Sequence, residues 1–201
     1  MKRLVLYVHG KGGSAAESAH YAPLFPDCTV QGLEYRTFTP WETGREIHAA
    51  VQRLQEVYGE ITLIANSIGA FFCMHADIED WLTKAYFISP VVDMEQLILS
   101  MMHASQVTEP QLQAAGEIAT AFGEPLSWEY LCYVRAHPVH WSVPTEILFG
   151  ENDTMTSLQT ITAFAKAHGA HLTVMPQGEH WFHTPAQMRF LDAWVIGAVS
   201  C

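Results

Sequence analysis

Positive charge is what this 201-residue chain has least of: 10 Lys and Arg stand against 21 Asp and Glu, a net charge of −11. The basic residues nowhere form a run, so the electrostatic footprint of a nucleic-acid binder is missing and no such partner is expected. Long apolar runs are lacking too. After Met1-Lys2-Arg3 only five apolar residues precede His9-Gly10, too few for a signal peptide or a membrane span. Cysteine is sparse. Cys28, Cys73, Cys132 and Cys201 form neither CxxC pairs nor a small-scaffold pattern, so free thiols and a cytoplasmic protein are expected, with no membrane partner. Neither G-x-G-x-x-G nor G-x-x-x-x-G-K-[ST] occurs, which counts against a phosphate-binding loop. His180-x-x-His183 lacks the acidic partner and the i, i+4 spacing of a zinc hydrolase, so neither metal nor cofactor is predicted.

What is present is a globular composition, 49% apolar and 15% charged, long enough to bury a sizeable core in one domain spanning 1–201. Leu4–Val8 is a continuous apolar run, as expected of a strand covered on both faces. It stops at the glycine-dense His9-Gly10-Lys11-Gly12-Gly13-Ser14, after which a helix to about Tyr21 is predicted. Thr29–Tyr35 reads as a second strand. Ile47, Val51, Leu54 and Val57 recur at helical spacing, so Trp41–Tyr58 reads as an amphipathic helix ended by Gly59. Ile61–Ala65, Ala85–Ile88, Thr145–Phe149 and His171–Met175 complete about six short apolar strands. Helices are predicted at Ala70–Ala76, Ser157–His168 and Pro185–Val199. Strands alternating with helices imply an α/β three-layer sandwich with a mostly parallel sheet. From about Val91 to Val143 the alternation lapses, yet Leu97, Ile98, Met101, Met102, Phe122, Trp128, Tyr130, Leu131 and Tyr133 persist. That stretch reads as a small helical cap insertion, part of it expected to line a pocket.

Ala65-Asn66-Ser67-Ile68-Gly69 sets a serine between small residues at a strand-to-helix corner, the form of a nucleophile elbow. Such a serine is strained, at a cost of roughly 1–3 kcal/mol, and bulky neighbours two positions away would collide with the adjoining strand and helix. Nucleophilic serine chemistry also needs a base, a group that orients the base, and donors for an oxyanion. Each is found past the end of a predicted strand. Gly150-Glu151-Asn152-Asp153 supplies a carboxylate and Gly178-Glu179-His180 an imidazole, in the chain order Ser…Asp…His. The glycines after the first strand let backbone N–H groups face the space above the sheet, so the N–H groups of Lys11 and Ile68 are the candidate oxyanion donors. Asp93 competes with Asp153, and His183 with His180. Glu151 and Glu179 read as solvated loop carboxylates, His75 as a packed or capping histidine, and the Lys11 side chain as solvated. Trp181 and Phe182 are expected to support the base loop or wall the pocket.

With these motifs in view, H-G-K-G-G, A-N-S-I-G, G-E-N-D and G-E-H, the chain resembles the α/β-hydrolase superfamily over nearly its whole length. The likeness is to its small single-domain serine hydrolases of esterase type. The sheet lacks the first two strands of that family, and Ala65 stands where the family most often has glycine. The resemblance implies that Ser67 attacks a carbonyl carbon, His180 accepts its proton, Asp153 holds the imidazole tautomer, and water hydrolyses the acyl-enzyme. The implied substrate is a small-molecule carboxylic ester or thioester with a modest acyl group. An amidase or peptidase using the same triad, and a non-catalytic binding protein on the same fold, are the alternatives. No substrate-binding residue or oligomeric state is read from the sequence.

Overall fold

The apolar run at the start of the chain forms β1 (Arg3–Val8), and the other predicted strands follow as β2 (Thr29–Leu33), β3 (Glu60–Asn66) and β4 (Lys84–Ile88). The computed structural model describes residues 2–121 and 123–199; Phe122 and Cys201, both singled out above, lie outside the described residues. Two compact units are present, one formed by the chain up to Val92 and from His140 onward, the other by Asp93–Val139.

The first unit holds one sheet of six strands, all parallel, in the order β2-β1-β3-β4-β7-β8, with β7 at Thr145–Gly150 and β8 at His171–Met175. The chain first steps from β1 to β2 and then crosses back to β3 on the other side of β1. This reversal leaves a crevice outside the carboxyl ends of β1 and β3, where open α/β sheets bind ligands. Buried residues alternate between the two faces of the sheet. Val5, Tyr7, Ile64, Tyr86, Ile88 and Leu148 form one core with Tyr21, Phe25 and the last helix, α7 (Pro185–Val199). Leu4, Leu6, Leu63, Phe87, Ile147 and Phe149 are equally buried and point to the other face. Ile47 and Val51 of α1 (Pro40–Gln55) and Ile161 of α6 (Leu158–His168) are also buried.

Several boundaries differ from the sequence expectations. The stretch after the glycine loop forms two 3₁₀ turns, Ala15–His20 and Ala22–Leu24, because Pro23 supplies no N–H to continue a helix. β2 ends at Leu33, two residues early, and releases Glu34 and Tyr35 toward the glycine loop. α1 stops at Gln55, since Val57 and Tyr58 both donate to Leu54 O and Gly59 donates to Lys2 O at the entry to the sheet. The elbow helix, α2 (Ile68–Cys73), is only six residues long.

The second unit contains α3 (Met94–Ala104), α4 (Glu109–Ala115), α5 (Trp128–Ala136) and a two-residue antiparallel pair, β5 (Glu117–Ile118) with β6 (Leu126–Ser127). The strand pair corrects the purely helical expectation. Met94, Ile98, Met102, Leu112, Leu126, Leu131 and Val134 are its buried apolar residues among those described. Arg135 joins its three helices, donating to Glu95 at 2.7 Å and to both oxygens of Glu109 at 2.7 and 2.8 Å. Val91, Val92, Trp141 and Val143 belong to the first unit, where Trp141 donates its indole N–H to Thr145 Oγ1 at 2.8 Å. Among the described residues, no helix is long and apolar enough to cross a membrane.

Candidate active site

β3 delivers Ser67 into the crevice. Its backbone sits at φ 53°, ψ −124°, a conformation that L residues reach only when their surroundings hold them there. The restraints can be named. Ser67 N–H donates to Ile88 O at 3.0 Å, and its carbonyl accepts from Val91 N–H at 3.2 Å, so the exit of β4 grips the serine on both sides. Gly69 lies so close to the first strand that a Cβ there would be 2.3 Å from His9 O. A Cβ on Gly10 would be 3.0 Å from Ser67 Cβ. Ala65 is fully buried in register between Val8 and Phe87 and accommodates its methyl.

Ser89 at the end of β4 and Gln177 just past β8 share this positive-φ backbone. Three of the five non-glycine residues with positive φ among those described (Ser67, Ser89 and Gln177) thus lie just past sheet strands on the carboxyl edge.

The candidate base and acid arrive past the ends of neighbouring strands. Ser67 Oγ lies 2.8 Å from His180 Nε2, and His180 Nδ1 lies 2.7 Å from Asp153 Oδ2. The Asp153 side chain is 0% exposed, that of His180 19%. Asp153 Oδ1 accepts the N–H groups of Met155 and Thr156 at 2.8 and 3.2 Å, so the buried carboxylate has donors on both oxygens, as an ionised buried group requires. A carboxylate at Nδ1 assigns the proton to that nitrogen and leaves Nε2 free to accept from serine.

The two loops are tied together as well. Asn152 N–H donates to Gly178 O at 2.7 Å and Glu151 N–H to Met175 O at 3.0 Å. A Cβ on Gly150 would meet Glu179 O at 2.4 Å; the glycine allows this close approach. Gln187, buried on α7, accepts the N–H groups of His183 and Thr184 and donates to Glu179.

The competing residues are engaged elsewhere. Asp93 accepts Gln96 N–H at 2.9 Å and caps α3. His183 Nδ1 lies 2.7 Å from Trp181 O. Glu151 is not merely solvated, since it accepts Gln177 N–H at 2.9 Å, and Glu179 bonds Gln187. His75 caps its own helix through Nδ1, 3.0 Å from Phe71 O. Phe182 is buried in the core beside α7, whereas Trp181 is 69% exposed and stacks on His183.

The loop after β1 carries Lys11, with an exposed side chain. Ile68 is the first residue of α2, a position whose N–H has no acceptor within the helix. Around the loop stand further buried and hydrogen-bonding groups. His9 is buried and stacked on Tyr35 at 4.2 Å, and its carbonyl accepts the Tyr35 hydroxyl proton at 3.0 Å. Burial pushes the Tyr35 phenol up, so it stays a donor. Glu34 accepts Ala15 N–H at 2.9 Å, and Glu17 accepts Ser14 N–H at 3.2 Å. Only Glu17 has a local signal, the capping-box spacing Ser14-x-x-Glu17. Glu34 and Tyr35 act across the sheet, where sequence spacing carries no information.

No family model matches this sequence, and no curated protein matches it significantly. Solved structures do. Est1E from Butyrivibrio proteoclasticus superposes with a TM-score of 0.81 at 17% identity, over 99% of this chain and 87% of that one. Alpha/beta hydrolase domain-containing protein 10 from mouse gives 0.73 at 14% identity, over 98% and 89%. A marine microorganism esterase gives 0.62 at 12% identity, over 100% and 95%. At these identities the likeness is one of architecture. Six parallel strands with a strained serine where β3 meets α2 complete the assignment: this chain has the α/β-hydrolase fold.

Proposed function

We propose that the protein is a serine hydrolase that cleaves a small-molecule carboxylic ester or thioester through an acyl-enzyme on Ser67. The observation that carries the reading is the continuous relay Ser67 Oγ–His180 Nε2, His180 Nδ1–Asp153 Oδ2, at 2.8 and 2.7 Å. Ser67 Oγ attacks the carbonyl carbon while its proton passes to His180 Nε2, and Asp153 stabilises the imidazolium that results. The carbonyl oxygen becomes an oxyanion, held by the N–H groups of Ile68 and Lys11. Collapse of this intermediate expels the alcohol or thiol, which takes the proton from His180. Water then attacks the acyl carbon with His180 again as base, releasing the acid and restoring the serine.

Support for ester rather than amide chemistry comes from the structural neighbours. Est1E has also been solved with ferulic acid bound, and that structure superposes at a TM-score of 0.79 and 16% identity. The free thiols of Cys28, Cys73 and Cys132 fit the reducing, cytoplasmic setting expected from the sequence. A fluorophosphonate probe tests the reading: it is expected to label the wild type and not Ser67→Ala, and equal labelling of both would sink it. Nitrophenyl esters of graded chain length, run beside matched thioesters, then define the acyl group.

A further inference from the structure

We propose that Glu17 is a positioning residue for the oxyanion loop and that the buried hydroxyl of Tyr7 holds it in place. This rests on the reading that Lys11 and Ile68 donate to the oxyanion. Tyr7, on β1, is 2% exposed, and its hydroxyl donates to Glu17 Oε2. The other carboxylate oxygen accepts the N–H of Ser14, the residue that closes the glycine loop. A Cβ on Gly13 would fall 2.7 and 3.0 Å from the two Glu17 oxygens, so the carboxylate lies directly against the backbone of the loop. Tyr7 also pairs in register with Ile64 of β3, the strand that runs into the elbow. Burial and the adjacent carboxylate push the phenol up, keeping its proton on the oxygen that faces Glu17.

Through β3, Tyr7, Glu17 and Ser14, the loop carrying one proposed oxyanion donor is linked to the elbow carrying the other. Inside the loop, His9 Nδ1 lies 2.8 Å from Gly10 O. Gly12 sits at φ 73°, and a Cβ there would have nothing within 4 Å. One backbone bond, Gly13 N–H to Gly10 O at 3.2 Å, closes the turn. Two N–H groups act together on one oxygen only while their separation is held, and a misplacement of about 1 Å in a catalytic group costs about a hundredfold in rate.

The test uses kcat and KM on a nitrophenyl ester, together with inhibition by a boronic acid whose tetrahedral adduct on Ser67 places an oxygen where the oxyanion forms. Tyr7→Phe and Glu17→Ala are expected to lower kcat by about tenfold to a hundredfold and leave KM within about twofold. Boronate affinity should fall in proportion. Glu17→Gln keeps an acceptor for Ser14 N–H and should recover most of the rate. Wild-type kcat in both Tyr7→Phe and Glu17→Ala overturns the proposal, and so does a lowered kcat with unchanged boronate affinity. Should Tyr7→Phe fail to fold, Glu17→Ala on the surface carries the test alone. Loss of the parent reading looks different: fluorophosphonate would then label Ser67→Ala, whatever the Glu17 variants do.

Discussion

The elbow and the oxyanion loop supply the two proposed oxyanion donors and are held by opposite means. At the elbow the backbone is held by its immediate packing. Ser67 is strained at φ 53°, and Gly69 touches the carbonyls of Val8 and His9. Ile88 and Val91 bond Ser67 from the next strand. The loop after β1 lies at the surface and has space around Gly12. Its shape comes from carboxylates reaching in, Glu17 on Ser14 N–H and Glu34 on Ala15 N–H, with Tyr35 on His9 O. One donor is therefore secured by close packing with backbone hydrogen bonds and the other by side-chain hydrogen bonds. Steric exclusion needs particular residues at fixed local offsets, whereas side-chain clamps can come from anywhere in the chain.

Substitutions can break this comparison in order of effect. Ser67→Ala removes the proposed nucleophile and should reduce kcat on a nitrophenyl ester by about a millionfold. Asp153→Asn leaves the relay geometry in place but puts the wrong tautomer on His180, so turnover should fall by about 10⁴-fold; near-normal activity would take the orienting role away from Asp153. In both, a thermal midpoint close to wild type separates lost chemistry from lost fold.

The two glycines come next. Gly69→Ala sets a Cβ 2.3 Å from His9 O, and the backbone must move. Destabilisation of about 2–4 kcal/mol is expected in denaturant titration, together with loss of fluorophosphonate labelling. Gly12→Ala meets no atom within 4 Å and carries only the left-handed penalty of about 1 kcal/mol. Equal costs at the two positions would remove the distinction between the elbow and the loop.

The smallest effect lies in the second unit, where Arg135 lowers the pKa of the Glu109 carboxyl by hydrogen bonding to it. A depressed carboxyl adds stability above its unfolded value and loses it as pH falls through the folded one. Arg135→Ala should therefore shift the thermal midpoint slightly at neutral pH and not at all in strong acid, because exposed pairs contribute little.

How much of this is legible in the sequence depends on whether the cause is local. The strands of the sheet are legible because a strand buried on both faces must be apolar throughout, as Leu4–Val8 and Ile61–Ala65 are. Ser67, Asp153 and His180 are legible as candidates because each lies just past the end of a predicted strand, and parallel strands bring those ends to one edge. The stretch to about Tyr21 reads as a helix because its composition is helical, whereas the chain forms 3₁₀ turns there and at Ala22–Leu24. The pair β5–β6 escapes detection because two residues per strand leave no alternation to follow.

The order of the six sheet strands along the chain and the choice of candidate reactive groups follow from residue types at short fixed spacings. Tertiary structure alone decided three things. It brought Asp153 rather than Asp93 to His180. It gripped Ser67 from the end of β4. It set Glu17 under Tyr7, and Glu34 beside His9 and on the N–H of Ala15. Each joins residues on different strands or loops, and such a contact is fixed by the register and order of the sheet, which no local pattern encodes.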